Sequence, residues 1–134
     1  MLALFVAAML QVAVPPVRSI DKGAMSQLSA ARQVAVSDGE AWAALWREHA
    51  PARPLPDVDF SREIVVGVFL GTRSSAGFTV EIVGYHEEGG RIVVEYRETT
   101  PSRGAITAQV IVSPYHLVAL PKRTGAVTFE KLKT

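Results

Sequence analysis

The chain of 134 residues contains no cysteine. That excludes disulfides, a thiolate nucleophile, cysteine-ligated zinc and a bacterial lipid anchor on cysteine. Charge of one sign is also missing. Fourteen Lys and Arg stand against 13 Asp and Glu, and they are scattered rather than striped, so neither a nucleic-acid face nor an acidic solvating tail is indicated. Only 7% of the residues are aromatic. A long apolar run is lacking too. The longest, "LALFVAAMLQVAV" at residues 2–14, falls short of the ~20 residues that a stable membrane span needs. No cofactor motif appears. "GTRSSAG" at 71–77 is neither a nucleophile elbow nor a phosphate loop, and "HEEGG" from His86 lacks the second histidine of a zinc-protease helix.

About half the residues are apolar and a fifth are charged, the balance of a globular domain of this length. The run at 2–14, with "PPVRS" after it, fits the apolar part of a secretory signal. Residues 1–19 are therefore read as a signal segment and 20–134 as one domain, exported to the periplasm or beyond the cell. "PPVRSIDKGAMSQ" reads as a linker, because prolines and a glycine punctuate it and no periodic face runs through it. "LSAARQVAV" reads as a first strand.

One helix is clear. "SDGEAWAALWREHA" opens on Ser37 with Glu40 three residues on, the spacing of a capping box. Trp42, Leu45, Trp46 and His49 share a face at i, i+3, i+4 and i+7, so the tryptophans should pack on a sheet. His49 sits at the helix C-terminus, where its charged form would be favoured. From residue 63 the pattern is of strands. "EIVVGVFLG" is apolar on both faces and reads as a central strand. "GFTVEIVGYHEE" and "RIVVEYRET" alternate around a Gly89–Gly90 turn, and "AITAQVIV", "YHLVALP" and "AVTFEKL" give three more strands. The fold expected is mainly β in the α+β class: an antiparallel bent sheet, sandwich or small barrel with one packed amphipathic helix.

No constellation of catalytic or metal-ligating residues emerges, so neither catalysis nor a metal or other cofactor is expected. Asp57 and Asp59 flank a valine with no second acidic cluster, and Glu81, Glu95 and Glu98 read as a solvated face. Pro114 and Pro121 bracket a strand with Tyr115, Leu117 and Ala119 on one face. His116, Val118 and Leu120 lie on the other, which makes His116 structural, its ring N–H meeting a backbone carbonyl.

"EAWAALWREHA", "PDVDFSREIVVGVFLGTRSSAGFTVEI", "RIVVEYRETTP" and "SPYHLVALPK" followed by "VTFEKL" occur in an order that resembles the PrcB C-terminal domain family, over residues ~28–132. The resemblance implies an accessory subunit that supports a subtilisin-like protease at the bacterial surface without being the catalyst. On that reading the chain is a binding module with a protein partner. Arg73, Phe78, Arg97 and Tyr115 are the candidate partner contacts, since arginines and aromatics dominate such surfaces. The rival is a small-ligand or peptide pocket lined by Trp42, Trp46 and Tyr115.

Overall fold

The computed structural model describes residues 17–133; the apolar run at 2–14, and with it most of the signal segment, lies outside them. Seven strands and one helix follow in the order β1 (Arg18–Gly23), β2 (Arg32–Val36), α1 (Gly39–His49), β3 (Glu63–Phe69), β4 (Thr79–Glu88), β5 (Arg91–Thr99), β6 (Tyr115–Pro121) and β7 (Val127–Leu132). One sheet has the order β1-β6-β3-β2 and is antiparallel; the other has the order β4-β5-β7. The result is an α+β sandwich of three layers: helix, four-stranded sheet, three-stranded sheet.

Alternation in the two central strands builds both cores. Ile64, Val66 and Val68 of β3, with Val118 and Leu120 of β6, face the second sheet and meet Val80, Ile82, Ile92, Val94 and Tyr96. Val65 and Phe69, with Tyr115 and Leu117, face the other way and meet Trp42, Leu45 and Trp46 of α1. The tryptophans are buried as the helical periodicity predicts, and their indole N–H groups donate to the carbonyls of Pro56 and Arg53. A buried tryptophan contributes a large apolar area but needs such an acceptor.

Two one-residue register shifts decide which side chains reach which core. In β4 the shift between Ile82 and Gly84 leaves Val83 unpaired, so the inward positions change from even (Val80, Ile82) to odd (Tyr85). In β1 the shift at Ile20 puts Ser19 opposite Val118 and Asp21 opposite Leu117. Residues two apart on a regular strand share a face, yet these two serve opposite faces.

Several expectations are corrected. Residues 18–23, read as linker, form edge strand β1, which is too polar to show an apolar alternation. The N-cap of α1 is Asp38, whose carboxylate accepts from the Ala41 N–H, rather than Ser37. β7 runs parallel to β5, so the second sheet is mixed and the pairing is not wholly antiparallel. "AITAQVIV" is not a strand: apart from one bridge between Val112 and Arg73, residues 105–112 have no ladder. The hairpin turn at Gly89–Gly90 forms as expected, with φ of 59° and 80°, values that glycine takes without strain.

Candidate partner-binding surface

Polar groups gather at two places, and their geometry separates structure from binding. The first lies beneath α1. His49, 1% exposed, is boxed by Trp46, Phe69 and Tyr115. Its Nε2 donates to Asp21 Oδ2 at 2.9 Å, so its Nδ1 is the acceptor for the Ser26 hydroxyl at 2.7 Å. Asp21 also accepts from Arg53 at 2.7 and 3.3 Å, and Arg53 reaches the Tyr115 hydroxyl at 3.3 Å. Burial works against the Asp21 charge, but hydrogen bonds from Arg53, His49 and Tyr115 outweigh it and hold the carboxyl below its usual range. For His49 burial wins over Asp21, and its pKa is lowered. The helix C-terminus therefore does not favour a charged ring here, contrary to the sequence expectation: desolvation outweighs the dipole.

Ser26, His49 and Asp21 are linked in the order of a hydrolytic triad, but the setting is wrong for attack. Ser26 is 9% exposed, and its oxygen already accepts from the Leu28 N–H. The N–H groups of Ser26 and Gln27 are spent on the carbonyls of Ser113 and His49, so they are not free to stabilise an oxyanion. The array pins β1, the following loop and α1 together.

His116 plays a like role on the other face. Its Nδ1 accepts the Ile82 N–H at 2.9 Å, so Nε2 carries the proton and donates to Ser19 Oγ at 2.9 Å. It ties β6 to the open edge of β4 across the sandwich. The partner is thus a backbone N–H and a hydroxyl, not the carbonyl expected. Burial first, then Lys22, pushes its pKa down to about 4.

The second gathering is at the loop end. A cleft of about 340 Å³ opens between the sheets, lined by Arg32 and Gln33 of β2, Leu70 and Arg73 after β3, and Tyr96 and Glu98 of β5. Its contacts are loose. Arg73 and Glu98 stand 3.8 Å apart, Glu98 and Lys131 3.9 Å. Gln33 donates to the Tyr96 hydroxyl at 3.2 Å, and the buried Arg32 Nε has no hydrogen-bond partner among the described residues. Glu98, read as outward, has the parity of Tyr96 and turns to the cleft.

Beside the cleft, loop 71–77 runs antiparallel to 107–112, tied by Arg73 with Val112 and by the Ala76 N–H to the Ala108 carbonyl. Gly71 allows the approach of this corner: its φ is 80°, and a Cβ there would stand 2.7 Å from the Ala31 nitrogen. Met25 is bridged to Ser113 on the other side. Ile106 is fully exposed, and Met25, Ile111 and Val110 are 72%, 70% and 47% exposed, so four large apolar side chains of one loop cluster face solvent. The three segments that build it, 24–32, 70–78 and 100–113, carry Arg32, Arg73 and Arg103 and no Asp or Glu. Large apolar groups exposed on neighbouring loops suit an interaction site.

The predicted site residues separate accordingly. Arg73 and Phe78 come together, the guanidinium 5.6 Å from the ring centre, but Arg73 also donates to the Leu70 carbonyl at 2.9 Å and so is partly a structural residue. Arg97 is exposed on the outer face of β5, opposite Glu81 and away from the cleft. Tyr115 is buried, so it cannot present a surface contact. Trp42, Trp46 and Tyr115 fall in one core cluster and are all buried, Trp42 against Trp46 and Tyr115 against His49 and Phe69. Gln33, Tyr96 and Glu98 were missed, as were Met25, Ile106, Val110 and Ile111. The absence of acids from the three loop segments was the signal available for them.

The architecture thus defines a small α+β sandwich with an apolar, arginine-bearing loop end. Residues 64–121 match the model of the family described as PrcB C-terminal, the family that the order of motifs resembled. The match includes Arg73, Tyr96, Glu98 and the 100–113 loop, and leaves out α1 and the β2 wall of the cleft. The family's name points to a protease-complex subunit. No curated protein and no solved structure matches the chain.

Proposed function

We propose that the chain is a non-enzymatic binding module that docks a protein partner through its loop end. The observation that carries this is the exposure of Met25, Ile106, Val110 and Ile111 on one acid-free loop cluster. The family match supports the finer reading that the partner is a protease and the chain its accessory subunit. The apolar run at 2–14 supports export, and on that reading chain and partner meet outside the cytoplasm.

Affinity capture from the native host tests the docking surface. Ile106→Asp with Ile111→Asp should abolish capture of the partner, while Leu55→Asp, which alters an exposed apolar residue outside the three segments, should leave it intact. Capture that survives the double change, or that is lost equally in the control, sinks the assignment. A captured set without a protease would remove the finer reading alone.

A further inference from the structure

We infer that the inter-sheet cleft is a carboxylate-binding notch, and that the partner segment presents an Asp or Glu side chain among apolar residues. The inference deepens the proposed docking and rests on it.

The donors in the cleft exceed the acceptors that they have. Arg32 keeps one amine on Glu48 at 3.3 Å, but its Nε is buried without a partner. An unmade hydrogen bond of a charged donor is costly; the Nε itself is closed to solvent, but the side chain is 39% exposed, so an incoming carboxylate can pair with the terminal amines of the same guanidinium. The Tyr96 hydroxyl accepts from Gln33 and keeps its own proton for a further acceptor. Arg73 spends one amine on the Leu70 carbonyl and holds its other 3.8 Å from Glu98, beyond hydrogen-bond range. Glu98 is shared between Arg73 and Lys131 and is tightly bound by neither. Two guanidinium groups and a phenol thus line an open cleft whose resident carboxylate satisfies none of them well. About 340 Å³ is room for one side chain rather than for a folded element.

The ligand's remaining character follows from what adjoins the cleft. Ile111 is the neighbour of Val112, which is bridged to Arg73, so the apolar strip begins within two residues of a cleft arginine. An extended segment that crosses the strip would cover Ile106, Val110 and Ile111 with apolar side chains and lower an acidic one between Arg32 and Arg73. Arg103, on the same loop, adds charge of the same sign. An internal acidic side chain suits this better than a chain terminus, because the segment continues past the cleft.

The test uses the full chain, isotope-labelled, and three peptides: acetyl-Ile-Val-Glu-Val-Ile amide, the same peptide with Gln for Glu, and acetyl-Ile-Val-Ile as the free acid. The Glu peptide should move the Nε–H resonances of Arg32 and Arg73 at millimolar concentration, and the Gln peptide should not. Glu98→Gln, which removes the resident negative charge, should tighten the Glu peptide several-fold; Arg73→Gln should weaken it at least as much. Equal responses to the Glu and Gln peptides would overturn the carboxylate notch, as would weaker binding after Glu98→Gln, or no shifts with any peptide. Binding of the free acid but not of the Glu peptide would overturn the internal side chain as the source. Each of these results is independent of partner capture, so the notch can fail while the apolar docking surface stands.

Discussion

Two clusters in this domain use the same side-chain types and do opposite things. Under the helix, Arg53 meets Asp21 at 2.7 and 3.3 Å beside Tyr115, with His49 and Ser26 completing the array. At the loop end, Arg73 stands 3.8 Å from Glu98 beside Tyr96 and Gln33. An arginine, a carboxylate and a tyrosine occur in each. In the first, the carboxylate accepts from several donors and the arginine caps the edge of a packed ring cluster. In the second, the pair is open and the nearest buried donor is unmet. The lesson is that residue type does not distinguish a fold-holding cluster from a binding one; the completeness of pairing does.

The largest change that would break this contrast is in the closed cluster. Trp46 lies under Arg53, the cation 5.1 Å from its ring centre, and packs edge-on against His49. Trp46→Ala should cost about 3–5 kcal/mol in chemical denaturation. A loss below about 1 kcal/mol would mean that the ring is not buried. Next comes a matched pair of carboxylate deletions. Asp21→Ala, which leaves a buried histidine and an arginine without their acceptor, should cost about 3 kcal/mol. Glu98→Ala should cost about 0.5 kcal/mol, because both of its ion pairs are loose, at 3.8 and 3.9 Å. Equal losses would erase the distinction between the clusters.

The histidines sharpen it through pH. His116 has a folded pKa of about 4 against an ordinary 6.5, and the neutral ring is the form that accepts from Ile82. Its contribution is complete above pH 6.5 and is lost as pH falls through the window down to about 4. With some screening at the β1 edge, the loss should be about 2 kcal/mol. His49, also lowered by burial, acts in the same direction. Denaturation midpoints measured from pH 7 to 4 should fall, and less steeply in His116→Asn; an unchanged slope in that variant would show that the ring does not titrate in this window. Among the single changes outside the closed cluster, a modest effect belongs to Arg73→Ala, which removes one hydrogen bond to a carbonyl and a contact with Phe78. About 1 kcal/mol is expected by thermal melting, a little more than a purely exposed loop-tip arginine would give.

Period explains most of what the sequence revealed. Trp42, Leu45, Trp46 and His49 recur at helical spacing, and β3 and β6 are apolar on both faces, so the helix, the central strands and both cores were legible. So were the opposite facings of Tyr115 and His116. What failed was pairing that depends on tertiary structure. β1 is a polar edge strand, and its bulge breaks any alternation around Asp21. Residues 105–111 have the β-branched content of a strand but meet loop 71–77 only through isolated contacts, not a ladder, and the parallel direction of β7 is fixed by a crossover that no local pattern records. The binding candidates fared worse for a related reason. Tyr115 has the residue type of a surface anchor, but only its strand's packing under α1 shows it to be inside.

The bulge in β1 has a consequence for how the molecule is completed. Ser19 serves His116 and Asp21 serves His49, so two residues on either side of one bulged position hold both buried imidazoles. The Ser19–His116 contact spans 97 residues. During synthesis the earliest-made strand must therefore wait for nearly the last, and the sheet cannot close until β6 has emerged. Until then β1 has no strand to pair with. Loss of Ser19 and Asp21 together would leave two histidines without their acceptors in an apolar interior.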